Sequence, residues 1–310
     1  MRVPDVGTSL CDVEPAQTAR RLNVPEARPY MGNLHSRLAG LTCQRHVSTW
    51  VYANRSVSHN SDFMKKIVIM GASSGIGLAA ARIFLENGME LGLAARRTDV
   101  LADLAAEFPG RVRYAAIDIC SPDAPKALYA LIGELGGMDL YFHVAGIGYD
   151  NPGLDPEREA AITDTDATGF ARMVSAAYRW MREAGVHGQI AAVTSVAGTK
   201  GIGGMSAYSA AKKFDQTYLV AMRQLADSDC SGVTFTDIRP GWTSTALLKR
   251  GKRYPMQMTL DHVVPLILRA IRHRRRVAVI DRRWAVLVCL WRLVPDWLWV
   301  RMGRQASKLM

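Results

Sequence analysis

Residues 66–77 read Lys66-Ile67-Val68-Ile69-Met70-Gly71-Ala72-Ser73-Ser74-Gly75-Ile76-Gly77. A short apolar run passes directly into a loop with glycines at its first, fifth and seventh positions, and a helical period follows. Glycine lets a chain turn tightly and lets its backbone come close to a pyrophosphate, while the helix beyond offers free N–H groups and the positive end of its dipole. Three glycines alone would fit a plain strand-to-helix turn. Here the loop follows a strand, precedes a helix and opens a domain, and that context favours a nucleotide-phosphate cradle.

Outward from this loop, short apolar runs alternate with helical periods. Strands are expected over 66–71, 90–95, 112–117, 139–144, 188–194, 232–238 and 276–280. Helices are expected over 75–88, 98–107, 122–135, 156–184, 206–227 and 259–273, with two more over 284–294 and 296–304 separated at Pro295. Repeated strand–helix units imply an α/β fold, a doubly wound parallel sheet of Rossmann type with helices on both faces and a C-terminal helical extension. The expected division is a catalytic domain over 64–283, a Trp- and Arg-rich helical end over 284–310, and an N-terminal extension over 1–63. That extension lacks Lys, has no sustained apolar period, and reads as disordered or non-native. Asp5, Asp12, Glu14 and Glu26 argue against a transit peptide, and Met64 reads as the start of the native chain.

The chain has 310 residues, and 49% are apolar, enough for a sizeable core. Its five cysteines, Cys11, Cys43, Cys120, Cys230 and Cys289, form no metal spacing and no paired framework. They fit a reducing, cytoplasmic compartment and no metal site. The net charge of +11 is unevenly spread, because residues 239–310 carry 16 basic and 3 acidic side chains. Such a surplus concerns partners, not the fold.

The text Gly71-Ala72-Ser73-Ser74-Gly75-Ile76-Gly77, spaced Gly-x-x-x-Gly-x-Gly, resembles the short-chain dehydrogenase/reductase family over about residues 64–283. Met70 stands where the family usually has Thr. The resemblance implies a nicotinamide dinucleotide held by Gly71, Ser73, Ser74, Gly75, Ile76 and Gly77. The second strand ends Ala95-Arg96-Arg97, with no carboxylate to bind a ribose 2′-hydroxyl. Guanidinium groups suit a 2′-phosphate, so NADP(H) is the expected cofactor. By the same resemblance Asp118 contacts the adenine, Ala145 and Gly146 flank the cofactor, and the turn at Pro240-Gly241 brings Thr243 and Thr245 to the nicotinamide and the phosphates.

Tyr208-Ser209-Ala210-Ala211-Lys212 places a phenol and an ammonium four residues apart on one helix face. A free phenol has a pKa of about 10, and a nearby ammonium lowers it. Lys212 is therefore expected to tune Tyr208 as an acid for reduction or a base for oxidation, and both are expected to touch the cofactor. Ser195, thirteen residues before Tyr208 and just after a strand, matches the family's serine on the substrate carbonyl. Asp166, in Asp166-Ala167-Thr168-Gly169, replaces the family's usual Asn; it would keep the backbone role and set a carboxylate near Lys212, weakening the pull on Tyr208. His143 replaces another Asn and reads as a strand-end histidine with a satisfied hydrogen bond.

The implied activity is an NADP(H)-dependent oxidoreductase interconverting a small-molecule carbonyl and an alcohol. The alternative is a catalytically weak NADP-binding sensor or scaffold, motivated by Asp166 and His143. Residues 242–258, with Trp242, Leu247, Leu248, Tyr254, Met256 and Met258, are expected over the substrate and suggest that it is bulky or apolar, unless these side chains simply close onto the core. Four of the seven tryptophans lie at 284–299, flanked by Arg274, Arg275, Arg276, Arg282, Arg283, Arg301 and Arg304. Tryptophan with arginine suits peripheral attachment to a membrane surface. A subunit interface is the alternative, since the family commonly forms dimers or tetramers. The segment is too short to span a bilayer, and no recognition fold supports nucleic-acid binding.

Overall fold

The computed structural model describes residues 64–245 and 254–306. The expectations for residues 1–63, Met64 as a start apart, lie outside the described residues, as do Leu247 and Leu248.

In chain order the elements are β1 (Lys66–Met70), α1 (Gly75–Glu86), β2 (Glu90–Ala95), α2 (Asp99–Glu107), β3 (Val112–Ala116), α3 (Ala124–Leu135) and β4 (Leu140–His143). Then come α4 (Pro156–Thr163), a π-helical turn (Asp164–Gly169), α5 (Phe170–Glu183), β5 (Gln189–Val193), a 3-10 turn (Val196–Thr199) and α6 (Ser206–Ser228). The chain continues through β6 (Thr234–Arg239), α7 (Leu260–Arg272), β7 (Val277–Val279), α8 (Arg282–Leu293) and α9 (Asp296–Ala306). All seven strands pair in parallel in the order β3-β2-β1-β4-β5-β6-β7. This is the doubly wound α/β sheet that the alternation predicts.

The central strands β1, β4 and β5 are buried almost throughout because both faces are covered, whereas edge strand β3 is largely exposed. One face packs with α1, α2 and α7 through residues such as Ile67, Leu91, Leu101 and Ile267, and this core also takes in Trp284 and Val288 of α8. The other packs with α3, α5 and α6 through Val68, Leu131, Met173 and Leu219. β1 is also tied to the loop before β4, since the Lys65 and Lys66 N–H groups both donate to Asp139 Oδ2 at 2.9 Å.

Winding reverses between β1 and its neighbour β4, and in open sheets the crevice at such a reversal is where ligands bind. One element departs from expectation. The stretch 156–184 is not a single helix: α4 passes into a six-residue π turn before α5 resumes. The wider turn contains Asp166 and Gly169, both buried. Single π turns inside helices commonly mark functional positions, because the added residue re-aims its neighbours.

Candidate active site

Two cavities and a buried charge cluster meet at the carboxyl ends of β1, β4 and β5. The first cavity, about 510 Å³, is the crevice over the glycine loop. Gly71 has φ of +96°, and a Cβ there would lie 2.5 Å from Ala145 N, so only glycine lets the loop nest against the segment after β4. At Gly77 a Cβ would run into the carbonyl of Gly71, so this position keeps α1 close beneath the loop without lining the crevice. The Ser74 side chain makes no cap bond, leaving the first N–H groups of α1 open toward the cavity.

The remaining expected residues divide. Gly71, Ser73, Ser74, Gly75, Ile76, Arg96, Arg97, Asp118, Ala145, Gly146 and Thr245 line the crevice. Arg96 and Arg97 are exposed at its mouth and hold no carboxylate among the described residues. Asp118 is exposed and accepts a bond from Cys120 N at 3.0 Å. Pro240, Gly241, Thr243, Tyr208 and Lys212 do not line it; Thr243 is buried, with its hydroxyl donating to Gly241 O at 3.2 Å. Ile147, Gly148, Tyr149 and Thr165 line it as well, and no sequence motif marked them. The cradle shaped by Gly71 and Gly77, the open helix N-terminus and the unpaired guanidinium groups together fit a phosphorylated dinucleotide.

Ser195, Tyr208, Lys212 and Asp166 converge, as their spacing suggested. Ser195 caps the 3-10 turn, its hydroxyl accepting from Ala197 N at 3.1 Å, and Gln216 Nε2 donates to its carbonyl at 2.7 Å. Tyr208 lies on the first turn of α6, its ring packed so closely on Gly148 that a Cβ there would sit 3.0 Å from it. One turn on, Lys212 is buried, its Nζ 5.7 Å from the Tyr208 ring centre. Asp166 Oδ2 lies 2.9 Å from that ammonium, and Asp166 Oδ1 accepts from Ile147 N at 2.8 Å.

A second carboxylate was missed. Asp215, fully buried, accepts from Lys212 Nζ at 3.1 Å through Oδ2, while its Oδ1 has no partner. Its place three residues beyond Lys212 could have revealed it, since that offset shares a helix face. One ammonium thus sits between two buried carboxylates. Burial pushes Asp215 up to about 7 against the pull of Lys212, and burial likewise raises Asp166. Burial alone would depress the Lys212 ammonium, but Asp166 and Asp215 hold it above its ordinary value.

This arrangement corrects one expectation. The Tyr208 phenol is raised, not lowered. Burial dominates; Lys212 and the Ser195 hydroxyl pull down, whereas Asp166 and Asp215 push up. The ammonium acts in the expected direction and is outweighed.

His143 is buried, with Nδ1 3.0 Å from the Tyr141 hydroxyl and its ring edge-on to Phe170. Burial, aided by Lys212, lowers it to about 3, so it stays neutral at ordinary pH. It is the strand-end histidine that the sequence suggested, but hydrogen-bonded through Nδ1 only: its buried Nε2 has no partner among the described residues.

The second cavity, about 620 Å³, adjoins the first through Gly148 and Tyr149. Met205, Trp242 and Tyr254 supply its apolar wall, the two aromatic rings 4.7 Å apart, and Asp150, Asp155, Glu157 and Arg158 its polar side. Met256 and Met258 instead pack on the core, with Met258 2% exposed, so the described residues of the 242–258 segment divide between cavity wall and core closure. Among the described residues no group of His, Cys, Asp and Glu could hold a metal ion.

Comparison with known proteins bears on the family and the fold. The sequence pattern of the short chain dehydrogenase family matches residues 65–254. The chain is 33% identical over 200 residues to an uncharacterised oxidoreductase of Myxococcus xanthus, covering 63% of this chain and 78% of the relative. It is 30% identical over 242 residues to an uncharacterised oxidoreductase of Mycobacterium tuberculosis, covering 74% and 94%. Among solved structures, a short chain dehydrogenase from Burkholderia cenocepacia in complex with NADP superposes with a TM-score of 0.66 at 19% identity, over 77% of this chain and 97% of that one.

Proposed function

The chain belongs to the short chain dehydrogenase family and is an oxidoreductase of that family, and from this premise we propose that it interconverts a carbonyl and an alcohol with NADP(H). The observation that carries the reading is the convergence of Ser195, Tyr208 and Lys212 behind Gly146 and Gly148, which line the glycine-loop crevice, Gly148 also lining the cavity walled by Trp242 and Tyr254.

NADP(H) is favoured over NAD(H) by the exposed guanidinium groups of Arg96 and Arg97 at the crevice mouth and by the lack of a carboxylate at the end of β2. The NADP bound by the Burkholderia protein of the same fold is consistent with that choice. The loop from Gly71 to Gly77 and the N-terminus of α1 would hold the pyrophosphate. When bound, the nicotinamide supplies or accepts the hydride.

The protein's share is positioning and proton transfer. The Ser195 hydroxyl donates to the substrate oxygen and fixes it beside Tyr208. In reduction the Tyr208 hydroxyl gives its proton to that oxygen; in oxidation the phenolate takes it back. A phenol, ordinary or raised by burial, keeps its proton through neutral pH and can serve as the acid in reduction. Lys212 stabilises the phenolate once it forms, and Asp166 and Asp215 hold the ammonium in place. Trp242, Tyr254 and Met205 give the substrate an apolar wall, suited to a bulky organic carbonyl.

The test is NADPH oxidation at 340 nm against apolar ketones, aldehydes and 3-keto lipids. Tyr208→Phe should lose turnover by on the order of 10²–10⁴-fold while retaining NADPH binding. A Tyr208→Phe enzyme as active as the parent would end the assignment. A second reading, an NADP-binding sensor or scaffold, would follow if the phenol, raised by burial and then by Asp166 and Asp215 against the pull of Lys212, were never activated. Tight NADPH binding without turnover of any carbonyl would favour it.

A further inference from the structure

Helix α8 is apolar on every side. Its inward side is used: Trp284 and Val288 are buried in the core, and Trp291 Nε1 donates to Thr199 Oγ1 at 2.8 Å. α9 turns the same way, with Trp299 Nε1 donating to Gly201 O at 2.6 Å and Lys200 paired with Asp296 at 2.5 Å. The Trp284, Trp291 and Trp299 rings form a ladder with centres 6.4 and 5.7 Å apart. Three of the four indoles that the composition offered to a lipid surface therefore face the protein.

The outward side carries Val286, Leu290 and Leu293 on α8 and Trp297 and Val300 on α9, each more than half exposed. Their steps of four and three residues keep them on one side of their helices, opposite the indole ladder. A soluble protein seldom leaves such a row uncovered. The charges beside it are of one sign. Arg282, Arg292 and Arg301 are exposed and have no carboxylate partner among the described residues, whereas Asp281 is held by Arg283 and His262 and Asp296 by Lys200.

From this pairing of an apolar row with unneutralised arginines, we infer that the outer face of α8 and α9 docks on an anionic lipid surface, lying in the headgroup region with Leu290, Leu293 and Trp297 inserted. A second copy is the poorer occupant. A twofold pair would bring a face whose unneutralised charges are all positive against itself, and among the described residues no free carboxylate stands beside the row to answer them. An anionic bilayer answers both features, taking the apolar row into its acyl boundary and the guanidinium groups at its phosphates. No helix among the described residues is long and apolar enough to cross a membrane, so attachment is to the surface only.

The experiment is flotation of the full chain with phosphatidylcholine vesicles and with mixed phosphatidylcholine–phosphatidylglycerol vesicles, alongside light scattering for oligomeric mass. The parent should float with the anionic vesicles, and high salt should weaken this. Leu290→Ser, Leu293→Ser and Trp297→Ser combined should lower partition by on the order of tenfold or more. Arg292→Glu with Arg301→Glu should lower it by about tenfold. An unchanged circular dichroism spectrum and unfolding midpoint establish that each variant is folded. Protein that stays at the bottom of the gradient, or folded variants that float as well as the parent, would overturn the inference. So would a dimer that the triple serine variant dissociates in the absence of any flotation, since the face would then belong to a second copy.

Discussion

Lys212 stands between two carboxylates, and after burial, which raises Tyr208 most, those three charges bear on its proton. With Asp166 and Asp215 both ionised the cluster is net negative, which disfavours a neighbouring phenolate. Asp215, pushed up to about 7, loses its proton as pH rises through neutrality and adds that opposing charge. Removing it should bring the phenol down. For Asp215→Asn, the rising limb of alcohol oxidation should move to lower pH by on the order of one unit, and an inflection near neutrality should vanish. The measurement is kcat/KM for oxidation against pH; a mere loss of stability would lower the whole curve without moving it. Ser195, Tyr208, Lys212 and Asp166 were legible because each chemistry-bearing type stands at a spacing that a strand and a helix convert into proximity. Asp215 was equally visible as a letter three residues from Lys212. Its meaning was not, because position on a helix does not tell whether that face meets water or the core. For the same reason the direction of Tyr208 was misjudged: the attraction to Lys212 follows from spacing, but desolvation follows only from the packed fold.

At the scale of elements, the central strands were legible since a strand buried on both faces writes itself as a near-continuous apolar run, while β3, with Arg113, and β6, with Asp237, were placed by the strand–helix alternation around them. The π turn at Asp164–Gly169 did not show, because one added backbone residue barely disturbs a helical pattern of side chains. The C-terminal helices were legible as helices but not as to which indoles face where, since α8 is apolar all round and offers no stripe to orient it. The packing decides that Trp284 is an anchor, 3% exposed, lying against Gly241 and donating from Nε1 to Met256 O at 3.3 Å. Trp284→Ala should destabilise the protein by about 3–5 kcal/mol, read as a lowered midpoint in urea or heat. Trp297→Ala, on the exposed side, should leave the midpoint within about 0.5 kcal/mol of the parent.

Over the whole molecule, two apolar layers hold the sheet and leave its carboxyl edge for chemistry, with the crevice at the reversal of winding. A ligand bound there only by the folded state raises stability by mass action, by about 2.7 kcal/mol at a hundred times its Kd. NADPH should therefore raise the thermal midpoint more than NADH at equal concentration, and Arg96→Ala should shrink that difference; equal shifts from both cofactors would remove the case for Arg96. The placement of charge is also a property of the whole, with 16 of 39 basic residues after position 238, and the sequence alone disclosed it. It could not disclose how the basic end joins the cavity. Trp284 touches Gly241 on one side and Met256 on the other, and between them Met258 N donates to Trp242 O at 2.9 Å and Ser244 N to Met258 O at 2.9 Å. The residues flanking the 246–253 segment, Trp242 to Ser244 and Met256 to Met258, are thus tied to each other and held by the Trp284 indole of α8. On the two proposals made above, whatever grips the outside of that helix also holds the doorpost of the substrate chamber, so that where the protein rests and how readily its product departs become one mechanical question.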